Sequence, residues 1–91
     1  VYAYALTGNS DEIAEENYAA VACAVQNLML AAHARGLGVG WSTGKPCKPA
    51  DLAAALGVNE PSRVAGCLYI GYPAKEPSSK RRVGSDVTSW L

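Results

Sequence analysis

Tyr18 to Ala34 is a run of 17 residues with no Asp, Glu, Lys or Arg, and seven of them are alanines. Apolar and small residues recur on every face of this run, so a helix here must be enclosed on all sides. Four carboxylates precede it, Asp11, Glu12, Glu15 and Glu16. An acidic first turn suits the positive end of a helix dipole, and Ser10 or Asp11 can cap it. A helix is therefore expected from Asp11 to about Arg35. Gln26, Asn27 and His33 interrupt its apolar character, and the run is short for a bilayer span, so it is read as buried in protein rather than in membrane. A chain of 91 residues cannot easily enclose such a helix alone. The remainder of a longer chain, a second subunit, or both must cover it. Gln26 and Asn27 are expected as buried polar groups satisfied across that core, and His33 as a helix-end residue complementing the dipole.

The second constraint follows immediately. Gly36-Leu-Gly-Val-Gly-Trp-Ser-Thr-Gly44 places glycines where the helix should stop. Gly36 is positioned as a left-handed cap residue, since glycine adopts positive φ without a Cβ penalty. The later glycines exceed what capping needs and imply backbone lying close to something flat, another backbone or a ligand. Trp41, Ser42, Thr43 and Gly44 are thus read as a binding loop. A P-loop is excluded, because position 39 is Val where the first glycine is required and Pro46 follows Lys45. The dinucleotide fingerprint fails too, because its last glycine falls on Trp41 or Thr43.

Eight basic and eight acidic residues balance, which removes any global attraction to nucleic acid or to anionic membrane. Neither is expected as a partner. Lys80, Arg81 and Arg82 form the basic cluster. Cys23, Cys47 and Cys67 match no zinc or Cys-x-x-Cys spacing, and the single histidine makes a metal site improbable. They are read as buried free thiols in a reducing compartment, hence a cytoplasmic location. No secretory leader is recognisable, and the chain opens in what reads as mid-strand, as a fragment of a longer protein would.

The remaining elements are shorter. Val1 to Leu6 reads as a strand closed by Thr7-Gly8-Asn9-Ser10. A short helix is expected from Pro49 or Ala50 to Leu56, ended by Gly57. Arg63 to Tyr72 reads as a strand buried on both faces and closed by Pro73. A Pro/Ser loop over 73–79 leads to the basic cluster, and the tail's Val87, Trp90 and Leu91 need docking.

In order, these blocks are Ala-Val-Gln-Asn-Leu-Met-Leu-Ala-Ala-His-Ala-Arg-Gly-Leu-Gly (24–38), Gly-Trp-Ser-Thr-Gly (40–44), Leu-Gly-Val (56–58), Val-Ala-Gly-Cys-Leu-Tyr-Ile-Gly-Tyr-Pro (64–73) and Lys-Arg-Arg (80–82). Together they resemble the C-terminal half of a nitroreductase-family flavoprotein, over nearly the whole chain. The resemblance implies an α+β fold, an antiparallel sheet flanked by helices, with residues 1–91 as the C-terminal half of one domain. It also implies an intertwined homodimer with FMN at the subunit interface and the tail reaching the partner's sheet.

By the same resemblance, Trp41, Ser42, Thr43 and Gly44 run along the flavin edge, with amides near Thr43 and Gly44 facing the atoms that gain electron density on reduction. Lys80 and Arg82 match the family's Lys-x-Arg and would neutralise the FMN phosphate. The implied activity is an NAD(P)H oxidoreductase that passes hydride through flavin to a small acceptor such as a nitroaromatic or a quinone. The cofactor carries that chemistry, so no catalytic side chain is assigned. The family's N-terminal phosphate arm has no counterpart here, so these residues supply part of the cofactor site and would not hold FMN tightly alone. The competing reading is a flavin-free dimerisation or ligand-binding module whose glycines serve packing only.

Overall fold

The computed structural model describes residues 1–76 and 78–91. Strand β1, Tyr2–Leu6, is followed by helix α1, Asp11–His33, and strand β2, Gly38–Ser42. A 3₁₀ turn, Lys45–Cys47, and a one-turn helix α2, Leu52–Ala55, precede the long strand β3, Ser62–Gly71. A second 3₁₀ turn, Gly84–Val87, lies in the tail. The sheet is antiparallel with the order β1-β3-β2. The last strand in sequence therefore sits between the first two, and most of the burial falls on it.

Local chemistry explains the element ends. The Ser10 side chain accepts a hydrogen bond from the Ile13 N–H at 3.2 Å, satisfying a donor the first turn of α1 would otherwise leave free. At the other end Gly36 has φ +76°. Its N–H donates to the His33 carbonyl at 2.9 Å, and the Leu37 N–H donates to Ala32 at 3.0 Å. This is the Schellman pattern expected of a glycine cap, and it stops the regular helix at His33 rather than Arg35. Gly57, with φ +72°, closes α2 in the same way through Gly57 to Ala54 and Val58 to Ala53 bonds.

β3 carries a bulge. Ala3 pairs with Gly66 but Tyr4 pairs with Val64, so Ala65 is the additional residue on the central strand. Ala65 is fully buried, and with Ala5, Val25, Cys67 and Leu68 it makes up the buried apolar core. Burial on β3 is confined to Ala65–Leu68; Tyr69 and Ile70 are exposed. The expectation of a strand covered along its whole length thus holds only at its centre.

α1 packs chiefly against β1, and Val25 is its buried residue. Leu30 is 58 % exposed, and Cys23, Gln26 and Asn27 are exposed as well. The expected burial of Cys23, Gln26 and Asn27 is therefore not met within this chain, because the sheet covers one face of α1 and these residues lie elsewhere on it. Val87, Trp90 and Leu91 are likewise exposed. The radius of gyration is 16.2 Å, against about 12 Å for a compact domain of this length. Among the described residues, no helix is long and apolar enough to cross a membrane.

Candidate functional site

The glycine-rich stretch is mostly strand. Gly38–Ser42 pairs residue by residue with Gly71–Cys67 of β3, so the ladder, not a free loop, carries Trp41 and Ser42. Only Thr43 and Gly44 form the corner before the 3₁₀ turn. Two glycines in five residues disfavour a strand, but a full register of hydrogen bonds to the central strand outweighs that local preference.

Trp41 faces its own sheet. Its Nε1–H donates to the Ala65 carbonyl at 3.1 Å, and the indole occupies the space over Gly66 where a Cβ would otherwise stand. The bulge at Ala65 leaves a carbonyl for the indole to satisfy, and the missing side chain at 66 lets the ring lie close. Trp41 is nonetheless 37 % exposed, so it is not closed off from solvent. Gly66 is therefore a residue whose role the sequence did not disclose; its signal was a glycine inside an apolar strand.

Ser42 is half-buried, and its Oγ accepts the Gly44 N–H over 3.4 Å. That bond is long, so the Gly44 amide is loosely held. Thr43 and Gly44 are exposed. A Cβ built on Gly40 would meet nothing within 4 Å, so the flat approach implied by that glycine is not made by this chain.

Lys80 and Arg82 are exposed in the irregular segment after β3. Among the described residues, no hydrogen bond or ion pair engages either, or joins them to the 41–44 corner. The structure thus carries Trp41, Ser42, Thr43 and Gly44 together, and among the described residues no hydrogen bond or ion pair links the basic pair to them. An apolar groove of about 280 Å³ lies elsewhere, between β1, α1 and Leu68. None of the expected site residues lines it, and it lacks convergent polar groups.

A cluster not anticipated from sequence lies beside the corner. Tyr2 and Ser42 are the two cross-strand neighbours of Cys67. Tyr2 Oη donates to the Pro46 carbonyl at 3.3 Å, and Cys47 Sγ donates to the Ser42 carbonyl at 3.3 Å. Partial desolvation, followed by the Cys67 and Cys47 thiols, pushes the phenols of Tyr2 and Tyr69 above their ordinary pKa of 10.0. The only advance signal was the period-2 spacing of Cys67 and Tyr69.

A long helix laid on an antiparallel sheet whose edge strand turns out into an amide-bearing corner defines the class: an α+β fold of the nitroreductase type. The chain belongs to the nitroreductase family, whose model it matches over residues 1–72. It is 32 % identical over 68 residues to the "Putative NAD(P)H nitroreductase YfhC" of Bacillus subtilis (strain 168), covering 75 % of this chain and 35 % of that protein. The crystal structure of a nitroreductase-like family protein from Bacillus cereus superposes with a TM-score of 0.80 at 29 % identity. That alignment takes in 97 % of this chain and 48 % of the other. The chain therefore spans about a third of the curated relative and about half of the solved one.

Proposed function

We propose that residues 1–91 are the C-terminal half of a nitroreductase-like domain and that the intact protein is an FMN-dependent NAD(P)H oxidoreductase. Its acceptors on this reading are nitroaromatics, quinones or similar small molecules. The observation that carries the reading is the family match over residues 1–72; the exposed corner at Thr43 and Gly44 is compatible with it. The three free thiols are in keeping with a cytoplasmic location.

The residues present suit FMN in three respects and depart in one. The Gly44 N–H, held only by the 3.4 Å bond to Ser42, can turn to an anionic ring edge at little cost. Open space beside Gly40 admits a flat group. Lys80 and Arg82, exposed and free of carboxylates among the described residues, suit a phosphate through charge-assisted bonds. Trp41 departs, because its only side-chain donor is committed to Ala65. It would offer the cofactor a ring face and no hydrogen bond.

Bound FMN would supply the hydride relay between NAD(P)H and the acceptor. This chain's own part is to carry the corner at the end of the β2–β3 ladder, to present backbone amides where negative charge grows, and to bind phosphate. No side chain of this chain is assigned a proton-transfer role. A homodimer is part of the reading, because α1 leaves small and apolar residues such as Leu28 and Leu30 exposed in the single chain and a helix of this kind requires cover.

The test is purification of the intact protein. Yellow protein with flavin absorbance, bleached by NADH or NADPH, is the expected result. Colourless protein that also fails to take up added FMN would overturn the reading in favour of a flavin-free module.

A further inference from the structure

Cys47 and Cys67 belong to different elements and share a neighbour on the sheet, Ser42. Cys67 is 7 % exposed at the centre of β3. Its neighbours in the same row are Tyr2 on β1 and Ser42 on β2. Side chains of one row share a face of the sheet, and adjacent strands stand about 4.8 Å apart. Both neighbours are tied to consecutive residues of the 3₁₀ turn, Tyr2 to Pro46 and Ser42 to Cys47, each at 3.3 Å. The turn therefore straddles the row with Cys67 in its middle, and Cys47 Sγ lies against the strand adjoining Cys67. Besides desolvation, both thiols act on the phenols of Tyr2 and Tyr69 and raise them, which fits this placement.

We propose that Cys47 and Cys67 are a redox-sensitive pair that closes into an intramolecular disulfide when the protein meets a peroxide. Cys47 is half-buried and Cys67 buried, so Cys47 meets the oxidant first. Its thiolate attacks one peroxide oxygen, the O–O bond breaks, and the departing oxygen leaves as water after taking up a proton. Cys47 is now a sulfenic acid. The Cys67 sulfur, giving up its proton, attacks the Cys47 sulfur and expels the second oxygen as water. In sum two thiols lose two electrons and two protons, and hydrogen peroxide becomes two waters. The bond fastens the 3₁₀ turn to the central strand and so fixes the Ser42–Gly44 corner. Cys23, exposed on α1, takes no part. The pair requires no flavin, and its test is independent of the proposed activity.

The experiment uses the intact protein carrying Cys23→Ser, treated with hydrogen peroxide under native conditions, alkylated, digested and mapped by mass. The expected result is loss of both alkylatable thiols and one joined peptide containing Cys47 and Cys67, lighter by two hydrogens, with both thiols restored by dithiothreitol. In a Cys47→Ser variant the joined peptide disappears. In a Cys67→Ser variant dimedone traps Cys47 as its sulfenic acid adduct. Retention of both thiols, their separate over-oxidation without a joined peptide, or cross-linking only between molecules would each overturn the proposal. The mass map on the Cys23→Ser protein decides the question even if the Cys67 variant fails to fold.

Discussion

The indole of Trp41 fills the space over Gly66 that a side chain at that position would need, and its N–H satisfies the Ala65 carbonyl beside it. The edge strand and the central strand are thereby locked side chain to backbone, in addition to their ladder. Gly66→Ala forces the ring out and breaks that hydrogen bond. Overpacking of this kind costs about 1–3 kcal/mol, to be read from denaturant unfolding of the intact protein. Trp41→Ala in the same molecule removes the clash, so the double variant should be less destabilised than the sum of the two single ones. Additive effects would show that the pair does not interact.

Gly36 offers a contrasting case, since a Cβ there meets nothing within 4 Å. The only obstacle is φ +76°. Gly36→Ala should therefore cost about 1–2 kcal/mol, the left-handed penalty of an L-residue, and Gly36→Asn less, because asparagine tolerates that region better. Equal losses for both variants, again measured by denaturant unfolding, would point to a spatial rather than a conformational requirement.

Arg63 stands 4.0 Å above the ring of Tyr18 and 3.3 Å from a Glu15 oxygen. It joins the central strand to α1 through two contacts of different kinds. The ion pair is exposed, at 55 % and 74 % for the two side chains, so Glu15→Gln should change stability by less than about 0.5 kcal/mol. Arg63→Ala, which also loses the ring contact, should cost about 0.5–1 kcal/mol. Salt should weaken the ion pair more than the ring contact. A larger effect from Glu15→Gln than from Arg63→Ala would reverse this ranking.

Alkaline pH probes the thiol and phenol cluster. Tyr2 and Tyr69 hold their protons more tightly in the fold than their ordinary pKa of 10.0. The unfolded chain therefore ionises first, and stability that is intact below pH 10 falls as pH rises through the raised values. Tyr2→Phe removes one of these groups and should flatten the decline in melting temperature above pH 10, while also losing the bond to Pro46. An unchanged alkaline slope would mean that Tyr2 titrates alike in both states.

How far the sequence disclosed this arrangement depended on the reach of each signal. α1 and β3 were legible because long apolar patterns and their caps, Ser10 and Gly36, act locally. β2 was not. Its glycines argue for a loop, and only pairing with β3, some thirty residues away in the chain, makes it a strand. Cys23 is exposed in the single chain for a related reason: an apolar run does not say which face of a helix its own sheet will cover. The cluster of Tyr2, Cys47 and Cys67 depends on three separate segments meeting, and no local pattern encodes that. For the candidate site, the corner at Thr43–Gly44 was foreseen, whereas the inward commitment of Trp41 needed the bulge at Ala65 to be known.

Lys80 and Arg82 give the sharpest test of the proposed cofactor site. Both are exposed, and among the described residues no carboxylate neutralises them. Such charges gain most from a bound dianion, where charge-assisted hydrogen bonds contribute about 1.5–3 kcal/mol each. Arg82→Ala in the intact protein should therefore weaken FMN binding by roughly ten- to a hundredfold, and Lys80→Ala by a smaller factor, since lysine lacks the forked geometry. Arg81→Ala, one residue out of register with both, should leave FMN affinity near that of the parent. The measurement is a fluorescence titration of apoprotein with FMN, repeated with riboflavin, which lacks the phosphate. The losses should appear with FMN and vanish with riboflavin. Equal losses with both ligands would place these residues away from the phosphate.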